Sequence, residues 1–327
     1  MAEYYAQRAV VPGTLLITEA VFISARARGR DINAPGVFTD EQIRQWTEVT
    51  KAVHERGSFI YCQIWAIGRA ARPHVLKAQG LEMVSSSAVP ISEGHATPRA
   101  MEEDEILQCI DDFASAAENA VKAGFDGVEI HGANGYLVDQ FTQDTCNQRT
   151  DRWGGTVENR SRFAFEVTQT VSKRIGSERT AIRLAPFTDF QGMGMKDPVP
   201  QFSDLISKLA TLKLAYLHLV EPRISGNIDR DTAQHESLDF ATDAWSGAGP
   251  LILAGGFDAS SARSKVRESK HDVAIAFGRQ FTSNPDLPRR IIEGLPLTNY
   301  DRSTFYVAKS EDGYTTWPSL PTESVTA

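Results

Sequence analysis

Three hydrogen-bonding side chains follow a short apolar run in the stretch GFDGVEIHGANGYLVDQF, residues 124–141. His131 and Asn134 can both donate a hydrogen bond to one oxygen atom, which polarises a carbonyl group or stabilises a developing oxyanion. Tyr136 carries a phenol with an ordinary pKa of about 10, which suits it to giving a proton to carbon. The spacing therefore predicts a site that activates a carbonyl compound and protonates it.

Other apolar runs also end in residues that could act on a ligand. Gln63 and Trp65 alternate onto one face at the end of the run 59–65, and Arg183 lies in the run 181–186. Arg183 offers a fixed positive charge to a group that becomes anionic during turnover. Two later runs end in glycine-containing segments, which include Gly255, Gly256, Phe257, Gly278 and Arg279. Glycine lets the backbone N–H groups approach a phosphate, and arginine binds it bidentately.

Each of these residues also has a structural interpretation when it is taken alone. A histidine at a strand end is more often a satisfied structural residue, Asn134-Gly135 is a turn signal, and Tyr136 could be a core aromatic. Arg183 could simply pair with the carboxylate of Glu129. The coincidence of all the polar residues at the same end of successive strands favours the functional interpretation.

The elements that must position these residues alternate between strand and helix. The spacing predicts strands at 14–21, 59–65, 127–132, 181–186, 216–222, 251–256 and 273–278. It predicts helices at 40–55, 103–123, 158–175, 200–214 and 258–270, with Gly124 ending the second and Asp258 capping the last. Strict alternation implies parallel strands joined by crossovers, and we expect an α/β fold, a (β/α)₈ TIM barrel with its site at the carboxyl ends of the strands.

The domain prediction is a single barrel over residues 1–309, followed by a tail, 310–327, that is expected to be disordered. A polar insertion at 66–102 should cap the active-site face, and the loop 223–235 should help to shape the pocket. Seven strands are one short of eight, and the first begins at residue 14. We therefore expect the first barrel strand to be missing, with Met1 an internal methionine of a longer protein.

The charge, the composition and the residue spacing argue against several classes of partner and site. A net charge of −8 argues against nucleic acid and anionic membranes, and no apolar run is long enough to span a bilayer. The N-terminus does not resemble a secretory signal, and a cytoplasmic protein is the default expectation. Cys62, Cys109 and Cys146 are too widely spaced to predict disulfides or a zinc site. No histidine spacing predicts a metal site, and no G-x-G-x-x-G predicts a Rossmann domain.

A set of motifs in order along the chain resembles the old yellow enzyme family. They run from about residue 3 to 307 and are EYYAQRAVVPGTLLITEA, CQIWAIGRAA, HGANGYLVDQF, NQRTDRWGGTVENRSRF, HLVEP, LAGGF, FGRQFTSNPDLPRRI and YDRSTFY. Members of that family are FMN-dependent ene-reductases on a (β/α)₈ barrel that take hydride from NADPH or NADH. Phrases such as SSSAVP and FQGMGM resemble the fungal branch of secondary metabolism that includes ergot-alkaloid enzymes.

The resemblance implies a role for each candidate residue. His131 and Asn134 match the pair that binds the substrate carbonyl, and Tyr136 matches the proton donor to Cα. Trp65 and Tyr306 match residues that line the substrate pocket. The positions that match flavin or phosphate contacts are Ala20, Gln63, Arg183, Gly255, Gly256, Phe257, Gly278 and Arg279. The implied reaction reduces the C=C bond of an α,β-unsaturated aldehyde or ketone, in a monomer or homodimer.

Two alternatives remain open at this point. The family's first strand, which contacts the flavin, does not occur in the sequence, so a truncated, cofactor-poor and non-catalytic barrel is the first alternative. A flavin-dependent alkene isomerase is the second. Some fungal relatives carry Phe at the position of Tyr136 and tend to isomerise, so Tyr136 favours reduction.

Overall fold

Parallel strands follow one another along a single curved path in the computed structural model, which describes residues 1–226, 228–232 and 236–321. Residues 227 and 233–235 of the loop 223–235, and the end of the tail at 322–327, lie outside the described residues. The strands are β1 (Leu15–Ile17), β2 (Val21–Phe22), β3 (Phe59–Trp65), β4 (Val84–Ser85), β5 (Arg99–Ala100), β6 (Gly127–Gly132), β7 (Thr180–Leu184), β8 (Tyr216–Val220), β9 (Ile224–Ser225), β10 (Ile228–Asp229), β11 (Leu251–Ala254) and β12 (Val273–Ala276).

The helices that connect these strands are mostly amphipathic. They are α1 (Ala2–Arg8), α2 (Asp40–His54), α3 (Pro73–Ala78), α4 (Glu103–Lys122), α5 (Leu137–Thr142), α6 (Val157–Ile175), α7 (Val199–Ala210), α8 (Asp239–Trp245), α9 (Ala259–Glu268), α10 (Arg279–Ser283) and α11 (Leu287–Glu293). Phe113 on α4, Phe163 on α6 and Phe202 on α7 are fully buried, and these neighbouring helices pack against one another. The core therefore lies between the sheet and the helices.

The main sheet has the strand order β1-β3-β6-β7-β8-β11-β12. The short strand β2 pairs with the C-terminal end of β3. All neighbouring pairs on this path are parallel, and the predicted (β/α)₈ fold class is confirmed. Within the described residues, β1 and β12 end the path and no strand joins them. These two edge strands are the less buried ones, since Leu15 and Ala274 are exposed.

Side-chain caps explain where several helices begin. Thr39 caps α2 by accepting the N–H of Gln42, and Asp258 caps α9 as predicted by accepting the N–H of Ser261. Gly124 follows the end of α4 with φ +92, also as predicted. Helix α7 is shorter than the predicted range 200–214, because the chain leaves the helical region and Lys213 adopts a φ of +56.

The prediction of one continuous strand at 14–21 is wrong. The structure divides it into β1 and β2, which pair with different parts of β3. Between them the side chain of Thr18 accepts the backbone N–H of Gln63 at 2.9 Å and so replaces a backbone ladder bond. Because of this break, Ala20 belongs to neither strand, and it lies partly buried between β1 and β2.

The insertion at 66–102 carries more regular structure than its sequence predicts. It contains α3 and the two short parallel strands β4 and β5. The expectation of a disordered tail is wrong for residues 310–321, because buried or half-buried arginines bind the tail carbonyls. Arg8 donates to Tyr314 O, Arg289 to Leu320 O and Arg290 to Pro318 O. No helix in the described ranges is both long and apolar enough to cross a membrane.

Candidate active site

The register of the sheet brings five polar residues into one layer at the carboxyl ends of the strands. Gln63 on β3 lies beside Glu129 on β6. His131 on β6 lies beside Arg183 on β7, which in turn lies beside His218 on β8. Neighbouring residues in register share a face of the sheet, so these side chains point to the same interior.

Glu129 is the centre of this layer and is fully buried. Its carboxylate accepts Gln63 Nε2 at 2.7 Å and His218 Nδ1 at 2.8 Å. Burial alone would raise the pKa of Glu129, but His218, the nearby Arg183 charge and Gln63 together lower it to about 2. Glu129 is therefore an ionised group inside the barrel, and it orients the Gln63 amide.

His131 is buried at 4% exposure and stands next to two aromatic rings. Its ring centroid lies 4.9 Å from that of Tyr136 and 6.2 Å from that of Trp65. Burial, and then the charge of Arg183, lower the pKa of His131 to about 3, so the imidazole is neutral at pH 7. Nδ1 accepts the backbone N–H of Ala133 at 3.4 Å, which leaves the proton on Nε2. His131 is thus a neutral N–H donor.

Tyr136 packs edge-on against Trp65, with ring centroids 4.5 Å apart. Its hydroxyl accepts a hydrogen bond from Arg30 Nη1 at 3.2 Å. Burial raises the pKa of Tyr136, while Arg30 and a hydrogen bond with Gln191 oppose the rise. The phenol is therefore protonated at pH 7 and lies beside a cation that stabilises its conjugate base.

The turn between β6 and α5 fixes the third predicted donor. Asn134 adopts a left-handed φ of +58, and the backbone N–H of Gly135 donates to Asp139 at 2.8 Å. Gln191 Nε2 donates to the backbone carbonyl of Asn134 at 2.6 Å. These bonds hold the turn and leave the Asn134 amide without a hydrogen-bond partner among the described residues.

Arg183 does not form the ion pair with Glu129 that its position allows. Glu129 binds Gln63 and His218 instead, and Arg183 Nε is buried without a hydrogen-bond partner in the described part of the chain. Burial lowers the pKa of Arg183, and the charge of Glu129 opposes this shift. A buried cation with an unpaired N–H donor indicates that a ligand could supply the missing hydrogen-bond acceptor.

The glycines after β11 make a narrow turn. A side chain at Gly255 would place its Cβ 2.7 Å from Glu221 Cβ, and one at Gly256 would place it 2.6 Å from Arg223 Nη2. Gly278, after β12, has open space around it, and Arg279 pairs with Asp229 at 2.7 Å. Phe257 is partly buried against the core.

The remaining predicted residues are less closely grouped. Trp65 stacks on Phe22 with centroids 4.8 Å apart and forms a wall beside His131 and Tyr136. Tyr306 lies 81% exposed, although its phenol is near enough to raise the pKa of Tyr136. The structure thus brings Trp65, His131 and Tyr136 into contact and places Tyr306 on the surface outside them. The predicted roles of these residues stay predictions.

Comparison with known proteins decides the family. The sequence model of the NADH:flavin oxidoreductase / NADH oxidase family matches residues 1–298. The chain belongs to this family. It is an NAD(P)H-dependent flavin oxidoreductase, and its cofactor is FMN.

Two curated relatives and one solved structure show how similar this flavin oxidoreductase is to known proteins. The chanoclavine-I aldehyde reductase fgaOx3 of Penicillium roqueforti (strain FM164) is 56% identical over 318 residues, 96% of this chain and 85% of the relative. A probable inactive reductase, easA of Epichloe festucae var. lolii, is 50% identical over 322 residues, 96% and 84% of the two chains. An old yellow enzyme homologue from Zymomonas mobilis superposes with a TM-score of 0.89 at 38% identity, covering 98% of this chain and 89% of that one.

The residues of this flavin oxidoreductase fit FMN at two points. The unpartnered Nε of Arg183 is a buried donor for a polar ring edge, and the turn at Gly255 and Gly256 has no space for side chains. Sequence reasoning missed Arg223, whose guanidinium lies against that turn, although it directly follows the HLVEP segment. It also missed Arg30, because no local spacing links that residue to Tyr136. Within the described ranges, no group of His, Cys, Asp or Glu comes together as a metal site.

Proposed function

We propose that this flavin oxidoreductase reduces the activated C=C bond of an α,β-unsaturated aldehyde or ketone. The juxtaposition of His131, Trp65 and Tyr136 carries the proposal, because it places an N–H donor, an apolar wall and a proton donor together. The name of the relative from P. roqueforti, an aldehyde reductase, supports an aldehyde as the substrate class. We further propose that residues 1–309 act as one domain, as a monomer or homodimer.

The neutral donors bind and polarise the substrate. His131 Nε2 and the free Asn134 amide donate to the carbonyl oxygen, which withdraws electron density from the alkene and makes Cβ electrophilic. Because burial keeps His131 neutral, it acts as a hydrogen-bond donor and not as a general acid. Trp65 excludes water from one side of the site.

Tyr136 completes the reaction by giving its phenolic proton to Cα. Arg183 and the turn at Gly255 and Gly256 would hold FMN, which when bound would supply hydride transfer from NAD(P)H to Cβ. The C=C π bond breaks, Cβ gains the hydride and Cα gains the proton, so the alkene gains two hydrogens. Arg30 stabilises the tyrosinate that forms, until Tyr136 recovers a proton from solvent.

Two other functions keep a specific observation in their favour. The open edges at β1 and β12, together with a relative named as a probable inactive reductase, favour a non-catalytic barrel. A site with both hydride and proton transfer could also return the hydride and isomerise an alkene. The hydroxyl of Tyr136 favours reduction, because it can supply the proton that a net reduction needs and Arg30 can stabilise the tyrosinate left behind.

The test is NADPH oxidation by flavin-loaded protein with and without a simple enal such as cinnamaldehyde. We expect oxidation to accelerate when the enal is added, and the product to gain two hydrogens. Oxidation that the enal does not change would favour the non-catalytic barrel, and a product of unchanged mass would favour the isomerase. Cofactor loss would be recognised beforehand from the visible spectrum.

A further inference from the structure

A cavity of about 310 Å³ lies between the 66–102 insertion and the loop that carries Gln191. Residues of both segments line it, and its wall includes Arg30, Arg69, Arg72, His95, Phe190 and Gln191. Two of these residues reach the candidate active site. Arg30 binds the hydroxyl of Tyr136, and Gln191 binds the carbonyl of Asn134. The cavity therefore adjoins the place where the carbonyl compound would bind.

The cavity has an uncompensated positive charge. Three arginines line it, and no aspartate or glutamate occurs among its lining residues. Within the described ranges, none of these arginines forms an ion pair. Arg30 donates to the Tyr136 hydroxyl, and no hydrogen bond joins the Arg72 side chain to another described residue. In a chain with a net charge of −8, three such arginines around one cavity indicate an anion site.

Arg69 shows that this cavity is a defined part of the fold. It is buried at 2% exposure, and its Nη atoms donate to the carbonyls of Val89, Pro90, Gln191 and Gly192. These bonds join the insertion to the Gln191 loop, while the buried Nε has no hydrogen-bond partner in the described part of the chain. A cation whose hydrogen bonds go to carbonyl oxygens and that has no ion pair keeps a positive potential in the adjoining space.

We propose that this cavity binds a phosphate group of the dinucleotide reductant. Arginine is suited to phosphate because its planar donors bind the oxygens bidentately. NADPH and NADH bring phosphate to the site at every turnover, and their nicotinamide must reach the pocket that Arg30 and Gln191 border. The proposal rests on the proposed function in placing that pocket at His131 and Tyr136. The phosphate is either the 2′-phosphate of NADPH or the pyrophosphate that both reductants share.

Arg72 is the residue that tests this site most cleanly. It is exposed, it precedes α3, and it contacts neither Tyr136 nor Asn134. We compare Arg72→Gln and Arg72→Glu with the control Arg56→Gln. Arg56 is also exposed, but it lies just before β3 at the opposite end of the barrel, where its guanidinium donates to Ala52 O. All variants are first checked for an unchanged flavin spectrum and melting temperature.

Two measurements report on reductant binding without any enone. The first is the dissociation constant of NADPH and of NADH from anaerobic stopped-flow reduction of the bound flavin. The second is calorimetric titration with 2′,5′-ADP, which carries the 2′-phosphate but no nicotinamide. Loss of one charged contact should weaken NADPH binding about tenfold in Arg72→Gln, and more in Arg72→Glu.

The pattern between the reductants distinguishes the two phosphates. Weaker binding of NADPH and 2′,5′-ADP alone assigns the 2′-phosphate, and weaker binding of NADPH and NADH alike assigns the pyrophosphate. Unchanged constants for both reductants in Arg72→Glu, or an equal loss in Arg56→Gln, would overturn the proposal. Failure of the proposed function is seen separately, as flavin reduction that no enal reoxidises.

Discussion

The Nη1 atom of Arg30 lies 3.2 Å from the hydroxyl of Tyr136, although the two residues are 106 positions apart. Arg30 comes from the segment after β2, and Tyr136 from the turn after β6. A cation at this distance favours the tyrosinate that remains after proton transfer. We therefore propose that Arg30 acts in the protonation step of the proposed reaction.

Replacing Arg30 by methionine should slow protonation. Arg30→Met keeps most of the side-chain volume but removes the charge, so the pKa of Tyr136 rises further above its usual range. We expect the reoxidation of dithionite-reduced protein by an enal to slow by about tenfold. Starting from dithionite-reduced protein removes reductant binding from the measurement. Arg28→Met is the matched control, because Arg28 stacks over Phe38 and makes no contact with Tyr136.

Replacing Tyr136 by phenylalanine removes the proton donor itself. The edge-on contacts of the ring with Trp65 and His131 remain, so the pocket keeps its shape. We expect enal reduction to fall by about 10²-fold or more, while NADPH still reduces the flavin at the normal rate. The two half-reactions are measured separately by stopped flow. An unchanged enal reduction rate would show that another group supplies the proton.

Glu129 should be important for stability because it is the buried anion that binds Gln63 and His218. In Glu129→Gln the charge of Arg183 loses its compensation, and one N–H group of Gln63 or His218 meets a donor instead of an acceptor. We expect a loss of about 3 kcal/mol in the free energy of unfolding, measured with urea. Glu118→Gln, which removes one of the two exposed carboxylates paired with Arg174, should cost less than about 1 kcal/mol. Equal losses in the two variants would refute the buried network.

The neutral state of His131 predicts a specific pH dependence. Its pKa is about 3 in the folded protein and 6.5 in the unfolded chain, so it favours folding above pH 6.5. That stabilisation is lost as the pH falls from 6.5 towards 3, since the unfolded state binds the proton first. Between pH 7 and pH 5 the loss is about 2 kcal/mol. His131→Asn should remove this part of the slope, whereas Glu129 contributes only below about pH 4.5. Parallel pH profiles for the two proteins would contradict a neutral buried His131.

The sequence predicts the repeating elements and the candidate residues at their ends, because both depend on local spacing. The strand at 127–132 is recognisable from its apolar run, and His131 near its end and Asn134 and Tyr136 just beyond it are found from that strand directly. The division of 14–21 into β1 and β2 is not local, since it depends on the Thr18 side chain binding the backbone of Gln63. The partners of Glu129 are equally hidden, because they come from strands far apart in the chain and meet only through the sheet register.

The cavity beside Tyr136 also could not be predicted from local sequence spacing. Arg30 occurs in the segment after β2, and Arg69 and Arg72 occur in the insertion 66–102, and taken alone each arginine is expected at the solvated surface. Only the fold shows that Arg69 binds four carbonyls of two different segments and so forms a wall between them. Prediction of such a site needs the tertiary contacts of the 66–102 insertion, which has no periodicity of its own.

Isotope labelling shows whether Tyr136 protonates Cα during the reduction of an enal. Flavin-loaded protein is given unlabelled NADPH and cinnamaldehyde in D₂O, and the saturated product is analysed by mass spectrometry and NMR. We expect hydrogen from the reductant at Cβ and one deuterium at Cα, with the product nearly lost in Tyr136→Phe. Recovery of unreduced aldehyde, or the same labelled product at the same rate from Tyr136→Phe, would show that Tyr136 is not the proton donor in such a reduction.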